Sequence, residues 1–215
     1  MTLATISQWG GQVRFDYVLD ALGATSESRS ECERLLRELD EALPQEISIV
    51  GNASSLLQQH HGSAIDELPT LRFNNAQIID PGAQGARWDF VATSNGRVLE
   101  YYQENEPRYH HLIFTPYLDS HKSAIQLIGS RRPVLTVPLR LSRELSLRLL
   151  ARPTTGIQIL TVLDRLGRKV RLFGFDWKAT PTFYDPSRLK DPHNHARERR
   201  VALEMIERNG WLRKT

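Results

Sequence analysis

The chain has 215 residues, of which 40% are hydrophobic and 25% charged, the composition of a globular protein that can bury a full core. Its formal net charge of +3 is too small to indicate nucleic-acid binding, although a pI of about 9.2 suits a polyanionic ligand. The single cysteine, Cys32, excludes an internal disulfide, and no stretch approaches the roughly 18 apolar residues of a membrane span.

The N-terminal sequence has neither the basic start nor the apolar run of a signal peptide. With the lone cysteine, this predicts a cytoplasmic protein that lacks an integral membrane segment, while peripheral membrane contact through partners stays open. Residues 13–22 fit a short strand or a helix equally well. No repeat, linker or low-complexity segment divides the chain, which predicts one domain over residues 1–215.

Helical and extended patterns alternate along the chain. Leucines at helical spacing predict an amphipathic helix over residues 26–43, and further helices are predicted at 53–59, 141–150, 155–166 and about 194–209. Short apolar runs predict strands at 47–50, 71–74, 88–94, 110–115, 134–137 and 170–175. The stretch containing Pro81, Gly82 and Gly85 is predicted to be a loop. This order favours an α/β fold with a mostly parallel, Rossmann-like sheet.

Polar residues follow the predicted strands. The ends of five of them carry Asn52, Asn74, Asn95, Tyr117 and Gly174. Because ligands of such sheets bind at the carboxyl ends of the strands, this neutral polar set suits a nucleotide. Taken singly, each asparagine is better explained by turn chemistry, since Asn tolerates left-handed backbone geometry, and it is their shared location at strand ends that favours a ligand site.

The start of the predicted helix at 155–166 is rich in hydroxyl groups. Thr154 and Thr155 are both suitable N-cap residues, and Thr155 and Gln158 have the spacing of a capping box. Gly156 allows a close approach to the first turn. The pattern fits an anion site at a helix start and fits a plain capped helix as well.

The segment 180–200 carries the reactive side chains. Its first part, 180–192, is predicted to be a loop, and His193 stands just before the last helix with Glu198 five residues on. A neutral imidazole can abstract a proton near neutral pH, but a histidine that caps a helix fits the same spacing. His195 is a rival for the role. The locally basic C-terminal quarter lacks the interleaved aromatic residues of a nucleic-acid surface.

Several common sites are absent from the sequence. No GxGxxG follows the first strand, and there is no phosphate-binding GxxxxGK[ST], zinc spacing or Gly-x-Ser-x-Gly elbow. No Asp-x-Asp pair is present to carry a divalent metal on a nucleotide-sugar diphosphate. A metal-dependent transferase is therefore disfavoured.

Four segments together resemble the sialylmotifs of the eukaryotic-type sialyltransferases. Residues 49–57 (IVGNASSLL), with Ile65, Asp66 and 72–74, resemble the large sialylmotif, and 152–163 with 170–175 (VRLFGF) resemble the small one. Residues 182–185 (TFYD) occupy the place of the short aromatic third motif, and His193 and Glu198 match the very small motif. The segments occur in family order and span most of residues 47–200.

This resemblance implies a GT-A-like α/β/α sandwich that transfers a CMP-activated sugar, with no metal or other cofactor, to a hydroxyl of a glycan acceptor. His193 would be the general base of an inverting displacement, and Glu198 would support its segment. Asn52 and Asn74 would contact the nucleotide and phosphate. The rest of the predicted donor site comprises Asn95, Thr154, Thr155, Gly156, Phe173, Gly174 and Tyr184, with Phe173 and Gly174 lining the cytidine pocket.

The sequence also departs from the family pattern. Thr182 replaces the His or Tyr that opens the third motif, so a side chain that helps the departing phosphate is missing unless His195 or Tyr184 replaces it. A non-catalytic CMP-sugar-binding module is therefore an alternative. The cysteines that link the two main motifs in animal members are absent, which fits a bacterial protein that acts on a surface glycan or its lipid-linked precursor. A CMP-Kdo donor is a further alternative, and the sequence identifies neither acceptor, linkage nor oligomeric state.

Overall fold

The computed structural model describes residues 29–75, 77–105, 111–116, 134–184 and 192–214. The helices are α1 (Arg29–Ala42), α2 (Gly62–Asp66), α3 (Pro81–Gln84), α4 (Gly96–Asn105), α5 (Leu139–Leu149), α6 (Thr155–Arg165) and α7 (His195–Asn209), with a 3-10 helix at Ser54–Gln58. The strands are β1 (Glu46–Val50), β2 (Thr70–Phe73), β3 (Phe90–Thr93), β4 (His111–Phe114), β5 (Val134–Thr136), β6 (Lys169–Phe173) and β7 (Leu212–Lys214).

The strands form one sheet in the order β5-β4-β3-β2-β1-β6-β7, and every pairing between them is parallel. β1 lies between β2 and β6, so that Ile49 pairs with Leu71 on one side and Leu172 on the other. The strands β2 to β5 follow one another on one side of β1, and the chain then crosses to the other side of β1 to form β6 and β7. The carboxyl ends of β1 and β6 therefore flank the point where ligands bind in open α/β sheets.

Helices cover both faces of the sheet because apolar side chains of its strands point alternately to one face and to the other. Ile49 and Leu172 belong to the large core cluster, which also contains apolar residues of α1, α5, α6 and α7. Their neighbours Val50 and Phe173 point to the opposite face and pack with the 3-10 helix and α2. Further along that face, β3 and β4 pack on Leu99 and Tyr102 of α4. Successive side chains of a strand point to opposite faces, so continuous apolar strands require a three-layer structure.

The α/β class with helices on both sides of a parallel sheet is confirmed, and each of the six predicted strands overlaps an observed one. β7 was not predicted, and it adds a parallel edge strand to the sheet next to β6. The predicted helix at 53–59 is a 3-10 helix. The predictions that concern residues 1–28, His110, Tyr117 and Asp185 lie outside the described residues.

The predicted loop around Pro81 and Gly82 is wrong, because these residues begin α3. The Asp80 side chain caps this helix by accepting hydrogen bonds from Gly82 N at 2.9 Å and Ala83 N at 3.4 Å. Pro at the first helical position and Asp at the N-cap form a helix start, a signal that the Pro and Gly content obscured.

Within the described part of the chain, no helix is long and apolar enough to cross a membrane.

Candidate active site

A cavity of about 790 Å³ opens where the carboxyl ends of β1, β2, β3 and β6 meet the start of α6. Its volume lies in the range of small-molecule sites. Ten of the eleven predicted site residues line it: Asn52, Asn74, Asn95, Thr154, Thr155, Gly156, Gly174, Tyr184, His193 and Glu198. The exception is Phe173, whose side chain is buried in the core cluster with Val50 and Leu56. Phe175, which follows the left-handed turn at Gly174 beyond the end of β6, lines the cavity instead.

Two glycines bring the ends of β1 and β6 into close contact. The Gly51 amide donates to Phe173 O at 2.7 Å, and a Cβ on Gly51 would lie 2.2 Å from Gly174 O. Gly174 has a φ of +67°, in the left-handed region that side chains rarely adopt. Any larger residue at Gly51 would push the strand ends apart and deform the cavity floor.

The three asparagines line the cavity, and Asn74 and Asn95 also have turn geometry. Asn52 Nδ2 donates to Phe73 O at 3.2 Å and to the Tyr184 hydroxyl at 3.3 Å. Asn74 has a φ of 53°, and its Oδ1 accepts a bond from the Thr93 hydroxyl at 3.2 Å. Asn95 Oδ1 accepts from Arg97 N at 3.0 Å, a local turn bond. Turn geometry thus places the amides of Asn74 and Asn95 at the cavity, so for these two the turn and ligand explanations are compatible. Asn52 is instead held by its bonds to Phe73 and Tyr184.

Thr154, and not Thr155, is the N-cap of α6. The Thr154 hydroxyl accepts from Ile157 N at 3.2 Å, so the predicted capping box between Thr155 and Gln158 is wrong. The helix begins one residue earlier than that spacing requires, and the Gln158 side chain is buried in the interior. Thr155 Oγ1 lies 3.3 Å from both the Thr115 and Ser94 hydroxyls, which orients it at the cavity wall.

Glu198 joins the starts of α6 and α7. Its carboxylate is only 3% exposed and accepts two bonds of 2.8 Å, one from Thr154 N and one from the Thr154 hydroxyl. The family resemblance implies that Glu198 supports the His193 segment, and in the structure its carboxylate contacts Thr154 at the start of α6. Two helix starts are thereby held at one edge of the cavity.

His193 directly precedes α7, and its ring orientation is set by the backbone of another segment. Its Nδ1 lies 2.7 Å from Arg152 O. Because a carbonyl oxygen can only accept, Nδ1 carries the proton, and in the neutral ring Nε2 is the basic nitrogen. His195 also lines the cavity, with its ring centroid 5.9 Å from that of His193.

The segment 176–184 completes the cavity wall and was missed by sequence reasoning except for Thr182 and Tyr184. Thr182 forms an isolated antiparallel bridge with Ala53, and Phe183 N donates to Asn52 O at 3.2 Å. The added lining residues are Asp176, Trp177, Lys178 and Thr180. Loop contacts of this kind carry no periodic signal, although Asp and Thr four residues apart are typical of a hydrogen-bonded turn.

The outer part of this wall is supported by β7. The Arg213 guanidinium lies over the Trp177 ring, with its carbon 4.4 Å from the ring centroid. Burial and the nearby charge of Arg199 lower the pKa of Arg213, while Asp176 acts in the opposite direction. In the described ranges, no group of three or more His, Cys, Asp or Glu side chains is placed to hold a metal ion.

Solved structures with similar topology are sialyltransferases. A mammalian sialyltransferase has a TM-score of 0.60 over 95% of this chain and 85% of its own, at 17% identity. The same fold is seen in a mammalian sialyltransferase bound to Gal-beta-1-3GalNAc-ortho-nitrophenol, with a TM-score of 0.60 over 93% and 84% of the chains, at 17% identity. An alpha-2,3-sialyltransferase from Campylobacter jejuni has a TM-score of 0.54 over 79% and 74%, also at 17% identity.

The chain shares the sialyltransferase fold. No protein-family model and no curated protein matches the sequence. The resemblance drawn from the four motifs is confirmed at the level of fold, and each motif contributes residues to the lining of one cavity.

Proposed function

We propose that the protein is a CMP-sugar-dependent glycosyltransferase that moves sialic acid from CMP-sialic acid to a hydroxyl of a glycan acceptor. The observation that carries this proposal is the bond between His193 Nδ1 and Arg152 O, which supports a base at the cavity in the required tautomer. The similarity of fold to sialyltransferases supports the donor class.

The donor phosphate would be held at the start of α6. The first backbone N–H groups of a helix and its dipole favour negative charge, and Gly156 leaves room for a ligand beside Phe175. Asn52 and Asn74 amides at the neighbouring strand ends would bind the nucleotide. These preorganised donors stabilise charge that develops on the leaving phosphate without a divalent cation.

The base would act on the acceptor. His193 Nε2 takes the proton of the acceptor hydroxyl as its oxygen forms a bond to the anomeric carbon. The bond from that carbon to the phosphate oxygen breaks, its electron pair leaves with CMP, and the configuration inverts. The imidazolium that forms is stabilised by its Nδ1–H bond to Arg152 O.

Donor binding is tested by thermal shift with CMP, CMP-sialic acid, CMP-Kdo and a UDP-sugar. A ligand present at 100 times its Kd stabilises a protein by about 2.7 kcal/mol. We expect CMP and CMP-sialic acid to raise Tm, and the UDP-sugar to leave it unchanged. A response to CMP-Kdo but not to CMP-sialic acid would overturn the sialic acid assignment while keeping the CMP-sugar class.

His193→Ala is expected to lower the rate of transfer by about 10²–10⁴-fold, because the acceptor proton loses its base. CMP affinity is expected to stay within about threefold, since the nucleotide contacts lie on α6 and the strand ends. Transfer is measured in EDTA, because the proposal requires no divalent cation. His195→Ala is the matched control for the rival base and is expected to keep most of the activity.

Full activity of His193→Ala across pH 5 to 9 would contradict the role of the base. Binding of donor by the wild-type protein with neither transfer nor donor hydrolysis, over a broad acceptor panel, would favour the non-catalytic module that Thr182 suggests.

A further inference from the structure

Lys178 lies on the cavity wall in an unusual backbone conformation. Trp177 and Lys178 are consecutive non-glycine residues in the left-handed region, with φ of 51° and 67°. Such conformations persist only where surrounding contacts enforce them. The Asp176 carboxylate supplies these contacts by accepting from Lys178 N at 3.1 Å and from Thr180 N at 2.9 Å. The turn therefore holds an exposed lysine against the cavity.

The charge of Lys178 is not neutralised by the carboxylates beside it. Asp176 accepts bonds from Ser55 and Thr180, and Glu198 accepts from Thr154. The Lys178 ammonium donates to the Thr182 hydroxyl at 2.6 Å, and within the described ranges it pairs with no carboxylate. An ammonium has three donors, so a neutral partner leaves both charge and donors for a ligand.

The turn is anchored beside the helix start that would hold the donor phosphate. Phe175, three residues before Lys178, packs on the first turn of α6, where a Cβ on Gly156 would lie 3.5 Å from the ring. Phe175 also contacts the strand end at Gly51, so the direction of the following turn is set from two sides. Lys178 and the amides of α6 thus belong to the same cavity, where both favour a dianionic group.

We propose that Lys178 binds the phosphate of the CMP leaving group, an inference that rests on the proposed CMP-sugar function. As the bond between the sugar carbon and the phosphate oxygen breaks, its electron pair passes to that oxygen, and the phosphate charge changes from one to two negative units. The Lys178 ammonium donates a hydrogen bond to this developing charge, and no proton is transferred. Thr182 is then the neutral partner that positions the ammonium.

The test compares CMP with cytidine, because only CMP carries the phosphate. Isothermal titration calorimetry is run on the wild-type protein, Lys178→Met and Lys178→Arg. In Lys178→Met we expect CMP affinity to fall about tenfold and cytidine affinity to stay within twofold, since a hydrogen bond to a charged group is lost. Lys178→Arg keeps the charge and is expected to recover most of the CMP preference.

Lys169→Met is the matched control, because it removes the same charge at the other end of β6, where Lys169 pairs with Glu46 on the surface. It is expected to bind both probes as the wild type does. In transfer assays Lys178→Met is expected to lower kcat about 10–100-fold, since the contact strengthens as the phosphate leaves.

An unchanged ratio of CMP to cytidine affinity in Lys178→Met would overturn the role of Lys178 while leaving the proposed function intact. Failure of the wild-type protein to bind either probe would instead overturn the proposed function, and this inference with it.

Discussion

Glu198 is an acidic residue that is only 3% exposed to solvent, and both of its carboxylate oxygens accept hydrogen bonds. A buried carboxylate is strongly destabilising unless hydrogen bonds replace its hydration. Thr154 supplies two such bonds, from its amide and its hydroxyl, and the same hydroxyl caps α6. A single residue pair therefore satisfies a buried charge and orders the helix start that would face the donor.

Glu198→Gln is expected to destabilise the protein by about 1–3 kcal/mol, because an amide nitrogen cannot accept the bond that one carboxylate oxygen accepted. The measurement is the free energy of unfolding in urea. Glu204→Gln on the same helix is the control, since Glu204 pairs with Arg148 at the surface and is expected to matter by less than about 0.5 kcal/mol. Equal effects of the two substitutions would show that burial and the cap are not what Glu198 provides.

At the scale of elements, the segment 176–184 has no regular secondary structure, lines the cavity, and is held by hydrogen bonds to the residues that follow β1. Asp176 Oδ2 accepts from the Ser55 hydroxyl at 3.2 Å, from Thr180 N and from the Thr180 hydroxyl. Thr182 and Phe183 bind the backbone of residues 52 and 53. One carboxylate therefore links the turn after β6 to the 3-10 helix after β1.

Asp176→Ala is expected to raise the amide hydrogen-exchange rate at residues 178 and 180 and to weaken CMP binding about tenfold, because the wall loses its central acceptor. Asp164→Ala is a suitable comparison, since Asp164 accepts from Arg208 and Asn209 at the far end of α6. That variant is expected to lose stability without losing CMP affinity. An unchanged amide hydrogen-exchange rate at residues 178 and 180 in Asp176→Ala would contradict the proposal that Asp176 holds this segment in place.

At the scale of the whole molecule, the cavity lies at the carboxyl ends of the strands, and a network of charged residues lies at their amino ends. Burial lowers the pKa of Arg72 to about 10, while Asp66 and Asp89 oppose this, so the guanidinium stays charged at neutral pH. It donates to Gln84 O at 2.7 Å and Arg87 O at 2.8 Å. Burial also raises the pKa of Asp89, but hydrogen bonds from Arg87 and Thr70 outweigh it and hold that pKa below its ordinary value.

This network predicts a pH dependence of stability. Since the folded-state pKa of Asp89 lies below the unfolded value of about 3.9, the unfolded chain binds more protons between the two values. The stabilisation by Asp89 is therefore complete above the unfolded pKa and is lost as pH falls through the folded one. The Tm difference between wild type and Asp89→Asn is expected to be largest near pH 7 and to shrink towards pH 3.

The control for the acid range is Glu67→Gln, which removes an exposed pair with Arg171 and is expected to change Tm little at any pH. A Tm difference for Asp89→Asn that stays constant from pH 7 to pH 3 would contradict the assigned ionisation.

The sequence alone predicted the α/β class, the position of most strands along the chain and a site at their carboxyl ends. These follow from local signals: apolar runs of strand length, leucines at helical spacing, and Asn or Gly at the ends of several strands. Ten of the predicted site residues line one cavity because the parallel sheet brings all strand ends to one edge. The sequence also predicted His193 and Glu198, since both lie at a recognisable helix start.

Only the tertiary structure decided the contacts between segments that are far apart in the chain. The tautomer of His193 depends on a carbonyl 41 residues away, and the burial of Glu198 on a threonine 44 residues away. Phe173 and Phe175 have the same side chain, but Phe173 ends β6 in the core, whereas Phe175 follows the left-handed turn at Gly174 and lines the cavity. The place of Lys178 depends on an irregular turn that Asp176 holds. Periodicity encodes which face of an element is buried, whereas a specific partner is chosen only when the packed elements bring two side chains together.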